Sequence, residues 1–284
     1  MILSEIGKQL DQNIFPYVEN GGIVMPNKTA KPLLTMGEVN SNDSSKRQNR
    51  SKTRSREGAT RRKGQTREHG TTNSATPVIL SGLEQIYFSE IDAILEAYPG
   101  TQIWKQEEGM WLLSYSSLVT DTMDDAAFLC AIPFLPITPV RSWGFWNATS
   151  WIGPRHTNLP DGSICAFEPS DGTWLPGDSI IKLLDIYSLW AVRHLYLQRF
   201  GYWPGAQVAH YPYERLIEQK ENELCGCGSL FKSYGECCKP KDLKRNKITD
   251  AINFISLGGA KRQPPEKIMR FIKEKNNPPS ILNL

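Results

Sequence analysis

At 284 residues, 39% hydrophobic and 10% aromatic, the chain has room for one sizeable core plus appendages, which suggests one or two domains. Its net charge is only +3, and residues 39–77 alone carry ten Lys and Arg against three acids, so the basic character belongs to one segment and the rest is net negative. No apolar run approaches the roughly 20 residues of a membrane span, and Glu5 and Asp11 interrupt the order of a signal peptide; no membrane association and a cytoplasmic location are expected.

Residues 1–36 mix modest helix signals between Leu3 and Leu10 with turns around Gly21, Gly22 and Pro26, and we expect a small N-terminal appendage docked on the core. Residues 37–77 are Ser, Thr, Asn, Gly, Arg and Lys with almost nothing to bury, so they read as a disordered basic linker. The run from Lys46 to Arg67 would suit nucleic acid or an acidic partner, but no aromatic residue interleaves the charges to stack on bases, which favours a tether.

Residues 81–98 predict a helix, with Ile86, Ile91, Ile94 and Leu95 at helical spacing and Pro99-Gly100 ending it. Ile103-Trp104, Trp111 to Leu113 and Phe128 to Ile132 then read as strands between polar turns, and Pro133, Pro136 and Pro139 are expected to stop the sheet. A long amphipathic helix from Asp178 to about Phe200 is more apolar than a surface helix requires and should pack across the sheet. Trp143, Trp146 and Trp151 read as packing residues, and Tyr202-Trp-Pro-Gly205 as the turn that ends the domain.

Between sheet and helix lies His156-Thr-Asn-Leu-Pro-Asp-Gly-Ser-Ile-Cys165. A nucleophilic thiol needs access, a route to thiolate and donors for the oxyanion formed on attack at a carbonyl. Cys165 follows a polar Asp-Gly turn and is the candidate nucleophile, whereas Cys130 sits mid-strand and reads as a small core hydrophobe. Asn158 reads either as an oxyanion donor or as an Asx-turn residue holding the loop. His156 reads as a hydrogen-bonded scaffold residue or as a direct participant.

Read serially, the helix, the meander, Ile132-Pro-Phe-Leu-Pro-Ile-Thr-Pro139, His156-Thr-Asn158, Asp161-Gly-Ser-Ile-Cys165, Trp174-Leu-Pro176 and the closing helix resemble ubiquitin-conjugating enzymes over about residues 81–205. The look is closest to a prokaryotic branch found in antiphage defence operons. The resemblance implies an α+β, ubiquitin-conjugating-enzyme-like fold at 78–206 and an acyltransferase that carries an activated C-terminal glycine as a Cys165 thioester and passes it to an amine. It places Asn158 at the oxyanion-stabilising amide and His156 in the segment bracing it. The implied partners are an activating-enzyme-like protein and a ubiquitin-like protein or a cGAS-like nucleotidyltransferase. Thr157 stands where the family has proline, and the Asn-to-Cys interval is one residue shorter than in eukaryotic members. The acidic gate of the family has no clear counterpart; Asp171 and Asp178 are near. The rivals are an inactive conjugating-enzyme fold serving as a scaffold and a zinc-stabilised adaptor for protein or nucleic acid.

Four of the six cysteines, Cys225, Cys227, Cys237 and Cys238, fall within fourteen residues. Two close pairs of soft thiolates can close a tetrahedral shell, and such a shell leaves no open position for catalysis, so a structural zinc is expected. So short a peptide has little core of its own, which makes the metal the agent that folds it. Cys225-Gly-Cys-Gly-Ser with Tyr234 and Cys237-Cys238 resembles the SEC-C motif, with a gap one residue longer than its typical form. The resemblance implies a docking piece, a tethered knuckle at 222–242. Lys232, Lys239, Lys241, Lys244 and Arg245 suit an acidic surface or are a solvated basic face. Residues 243–284 show two short amphipathic patterns, 246–257 and 265–275, expected to pack on the knuckle or on the main domain.

Overall fold

A computed structural model describes residues 4–6, 8, 17–19, 22–24, 76–116, 125–229 and 231–284. The expected basic linker lies almost wholly outside them, as does most of the N-terminal appendage. What is described of that appendage is tied to the core: Ile6 is fully buried in it, and a short antiparallel hairpin of β1 (Tyr17–Glu19) and β2 (Gly22–Val24) accompanies it. Helix α1 (Thr76–Ser89) follows, then α2 (Ile91–Ala97). The single helix expected at 81–98 is thus two, divided at Glu90, whose carboxylate accepts from the Ile180 amide at 2.8 Å.

Among the described residues, five strands form one antiparallel meander: β3 (Gln102–Lys105), β4 (Gly109–Ser116), β5 (Ala126–Pro133), β6 (Arg141–Trp146) and β7 (Ser150–Trp151). Side chains alternate faces along a strand, and here both faces are apolar. Met110, Leu112, Phe128, Cys130 and Ile132 enter one core, and Trp111, Leu113, Ala127, Leu129, Ala131, Trp143 and Phe145 enter the other. That is why β5 reads as an unbroken apolar run and is buried along its whole length. The prolines after β5 interrupt the sheet rather than stop it. The chain turns through 134–140 and re-enters as β6, paired to β5 from Ala126↔Trp146 to Ala131↔Arg141.

The first face is covered by α3 (Ile180–Phe200), which buries Leu183, Leu184, Tyr187, Trp190, Ala191 and Leu195 and ends on Gly201 at φ 78, the left-handed conformation glycine adopts without strain. Strand and helix approach closely at Gly144, where an added Cβ would lie 2.7 Å from the Trp190 ring. Beyond it, Trp203 is buried, so the Tyr202–Gly205 turn leads into the next unit and does not present that indole to a partner.

That unit begins with a helix that sequence reading left unassigned, α4 (Pro212–Glu218), and continues through the cysteine cluster to α5 (Lys239–Asp242) and α6 (Lys247–Ser256). Asn246 caps α6 by accepting from the Ile248 and Thr249 amides at 3.1 and 3.2 Å. Finally α7 (Glu266–Glu274) crosses the second face of the sheet. Nine residues are too few for a helix stable alone, so packing must hold it. Ile268, Phe271 and Ile272 supply that packing against Trp104 and Trp111 at about 1.5–3 kcal/mol each. The Trp111 indole also donates to the Pro279 carbonyl at 2.9 Å.

Candidate active site and metal centre

The segment 156–165 folds back on itself as a tight loop. Thr157 bridges Ile164 antiparallel, and the Cys165 amide donates to the His156 carbonyl at 3.0 Å. At the tip, Asp161 accepts from the Ser163 amide and hydroxyl at 3.0 and 2.8 Å, and Gly162 takes φ 65. Two indoles on the second sheet face grip the turn from behind, Trp143 donating to the Asp161 carbonyl and Trp151 to that of Gly162 at 2.9 and 3.2 Å. The sheet thereby sets the height of the loop, and the loop places Cys165.

Cys165 is half-buried in the wall of a cleft of about 420 Å³. Burial pushes its thiol above the ordinary value of 9.0, Glu168 and Glu214 push the same way, and Arg262 opposes them. Cys130, the other cysteine outside the cluster, is fully buried and pushed up to about 12. Both protons of the Asn158 amide are engaged within the loop, on the Ser163 hydroxyl at 3.2 Å and the Ile164 carbonyl at 3.0 Å. His156 is pinned by its ring to Gln207 at 3.2 Å, packs against Trp203, and offers its carbonyl to the Trp190 indole at 3.0 Å. Burial and the adjacent Arg155 hold its imidazole well below the usual histidine range, so it is neutral at physiological pH.

Two arginines fix the cleft. Arg155 is buried and forks onto Glu223, with a second contact to Gln207 at 2.6 Å. Arg262, 8% exposed, donates to the Thr157 carbonyl at 2.8 and 3.0 Å and pairs with Glu214 and Glu218 at 2.8 and 2.9 Å. Thr157 therefore sits in a polar clamp.

The four clustered cysteines converge: the Sγ atoms of Cys225, Cys227, Cys237 and Cys238 lie within 4.8 Å of one another. A tetrahedral ion with bonds of about 2.3 Å requires sulfur separations of about 3.8 Å. Cys227 to Cys237 is 3.7 Å and Cys237 to Cys238 is 3.9 Å, so the set can hold a metal ion and suits zinc. The knuckle is docked rather than tethered, and protein contacts brace it in addition to any metal. Tyr234 is buried and donates to Asp242, which receives a forked pair of bonds from Arg215 at 2.8 and 2.9 Å. Val208 bridges Cys227, and the Ala209 amide donates to the Gly226 carbonyl at 2.8 Å. Gln207, Val208, Ala209 and His210 line the same cleft as Cys165. The cysteine cluster and the cleft thus share one piece of backbone.

No protein-family model, curated protein or solved structure matches the chain.

His156, Asn158 and Cys165 are brought together by the loop, and the cysteine cluster stands on the far side of the 207–209 segment. Sequence reading missed Arg155, Arg262, His210 and Glu168. None lies in a motif, and all reach the cleft from separate elements. The available signal was weak: one arginine directly before His156 and another two residues before Pro264.

Proposed function

We propose that this protein is a ubiquitin-conjugating-type acyltransferase that carries a partner's activated C-terminal glycine as a thioester on Cys165. The observation that carries the reading is the placement of Cys165. A braced loop between an antiparallel meander and a crossing helix delivers this one partly exposed thiol to a cleft, while Cys130 is sealed in the core. That order of elements resembles the serial order of ubiquitin-conjugating enzymes. In the reaction the Sγ thiolate attacks the carbonyl carbon of an incoming thioester, the new C–S bond forms, and the donor thiol leaves. An amine then attacks the Cys165 thioester, the C–Sγ bond breaks, and the acyl group ends as an amide.

The raised thiol works against the thiolate that the attack requires, since burial, Glu168 and Glu214 all raise it and Arg262 alone opposes them. Activating-enzyme-like and ubiquitin-like proteins, or a cGAS-like nucleotidyltransferase as the transferred chain, are the partners this reading names, in an antiphage setting. A Cys165→Lys variant co-expressed with the products of neighbouring genes should accumulate a thiol-resistant, protein-sized adduct mapped to position 165. Absence of an adduct in the presence of a charged activating enzyme would overturn the proposal.

One observation favours the scaffold reading instead: the Asn158 amide is spent on the loop and offers no proton to an oxyanion. Under that reading, Cys165→Ala retains full biological activity.

A further inference from the structure

If Cys165 carries a thioester, the amine that discharges it must lose a proton, and the cleft contains a group built to take it. The chain has four histidines. His194 is buried, His156 is half-buried in the cleft wall with its ring engaged by Gln207, and His69 lies outside the described residues. Among the described residues, His210 is the histidine with an exposed side chain: it is 57% exposed, lines the Cys165 cleft, and has its Nε2 2.9 Å from the Glu168 carboxylate.

Both partners are held from behind. Glu168 follows Cys165 by three residues and heads a short 3₁₀ turn, Pro169–Asp171, in which the Asp171 side chain accepts from the Glu168 amide at 3.1 Å. His210 follows Val208 and Ala209, which are backbone-paired to Cys227 and Gly226, and the Ala209 carbonyl accepts from Arg215 at 2.9 Å. A carboxylate facing Nε2 fixes the hydrogen there and leaves the lone pair on Nδ1, as an orienting acid does for a catalytic imidazole.

We infer that His210, oriented by Glu168, is the proton acceptor for a primary amine attacking the Cys165 thioester. This rests on the thioester reading of the cleft. The amine nitrogen bonds to the carbonyl carbon, its proton passes to Nδ1 of His210, and the C–Sγ bond breaks with its electron pair on sulfur. The imidazolium then returns the proton to Sγ or to water.

The other ionisable groups of the cleft are already committed. Glu214 and Glu218 pair with Arg262, and Arg155 pairs with Glu223. Tyr187 is buried and its phenol is pushed upward by that burial, and Tyr211 packs against Phe254. The Cys165 thiol is itself the acyl carrier.

The test is single-turnover discharge on the full chain. Cys165 is charged with a synthetic glycine-ended peptide thioester, free lysine is added, and the loss of acyl mass is followed. His210→Ala should slow discharge to lysine by about 10²–10⁴-fold, and added imidazole should restore part of the rate. Glu168→Gln should slow it less. Discharge within twofold of the parent, or a slowed variant that imidazole does not rescue, overturns the role of His210 and leaves the thioester reading standing. A parent protein that never accepts the peptide on Cys165 overturns both.

Discussion

Removing the Arg262 guanidinium should loosen the loop that holds Cys165. The side chain joins three elements: the Thr157 carbonyl in the loop, Glu214 and Glu218 on α4, and its own segment before α7. Arg262→Ala strands two carboxylates whose side chains are only 10% and 15% exposed. Breaking a buried ion pair on one side costs about 3–5 kcal/mol. For a protein of this size that is a fall of about 6–20 °C in Tm, at about 2–4 °C per kcal/mol. Urea unfolding followed by tryptophan fluorescence reads it directly. The pH dependence is a second check. Burial raises the Glu218 carboxyl above its ordinary 4.5 and Arg262 pulls it back, so losing the guanidinium raises it further. A carboxyl raised on folding stabilises the fold in its protonated form, fully below its unfolded value and not above its folded one. The deficit of the variant should therefore shrink as pH falls from 7 toward 4.5. A loss below about 1 kcal/mol, or a deficit that does not change with pH, would refute the clamp.

Three further outcomes follow from the same geometry. The purified chain should carry one zinc released by a strong chelator, and chelation should speed amide exchange at 207–211 while β4 and β5 stay protected; unchanged exchange at Ala209 would break the link between knuckle and cleft. Gly162→Ala should cost about 1–3 kcal/mol in urea, because φ is 65 and the new Cβ would lie 2.8–2.9 Å from the Gln263 backbone; an unchanged midpoint would mean the turn relaxes freely. Alkylation of Cys165 by iodoacetamide, read by peptide mapping, should still be rising at pH 9.0, since burial keeps the thiol protonated there; a plateau below pH 8 would contradict the raised thiol.

The parts of this fold set by local periodicity were legible. Strands β3 to β5, α3, α6 and α7 follow from apolar spacing, and the Asp161-Gly162 turn follows from its residues. The convergence of four cysteines is equally local. What eluded reading depends on distant partners. β6 hides behind three prolines because Trp143 and Phe145 look like loop packing until α7 covers their face. α4 has only seven residues and is held by Arg262 and by the Tyr213–Phe254 contact with α6, none of which periodicity reports. The docking of the knuckle rests on Arg155–Glu223 and Arg215–Asp242, pairs 68 and 27 residues apart. A chain read in order gives the ligands of the cluster but not the wall they build.

The central claim is that Cys165 carries an acyl group. Intact-protein mass spectrometry on material co-expressed with its neighbouring genes, kept non-reduced, tests this most directly. A thioester on Cys165 predicts a protein-sized adduct that disappears on thiol treatment and is absent from Cys165→Ala. An unmodified chain in the presence of a charged activating enzyme would contradict it and leave Cys165 a structural residue of the loop.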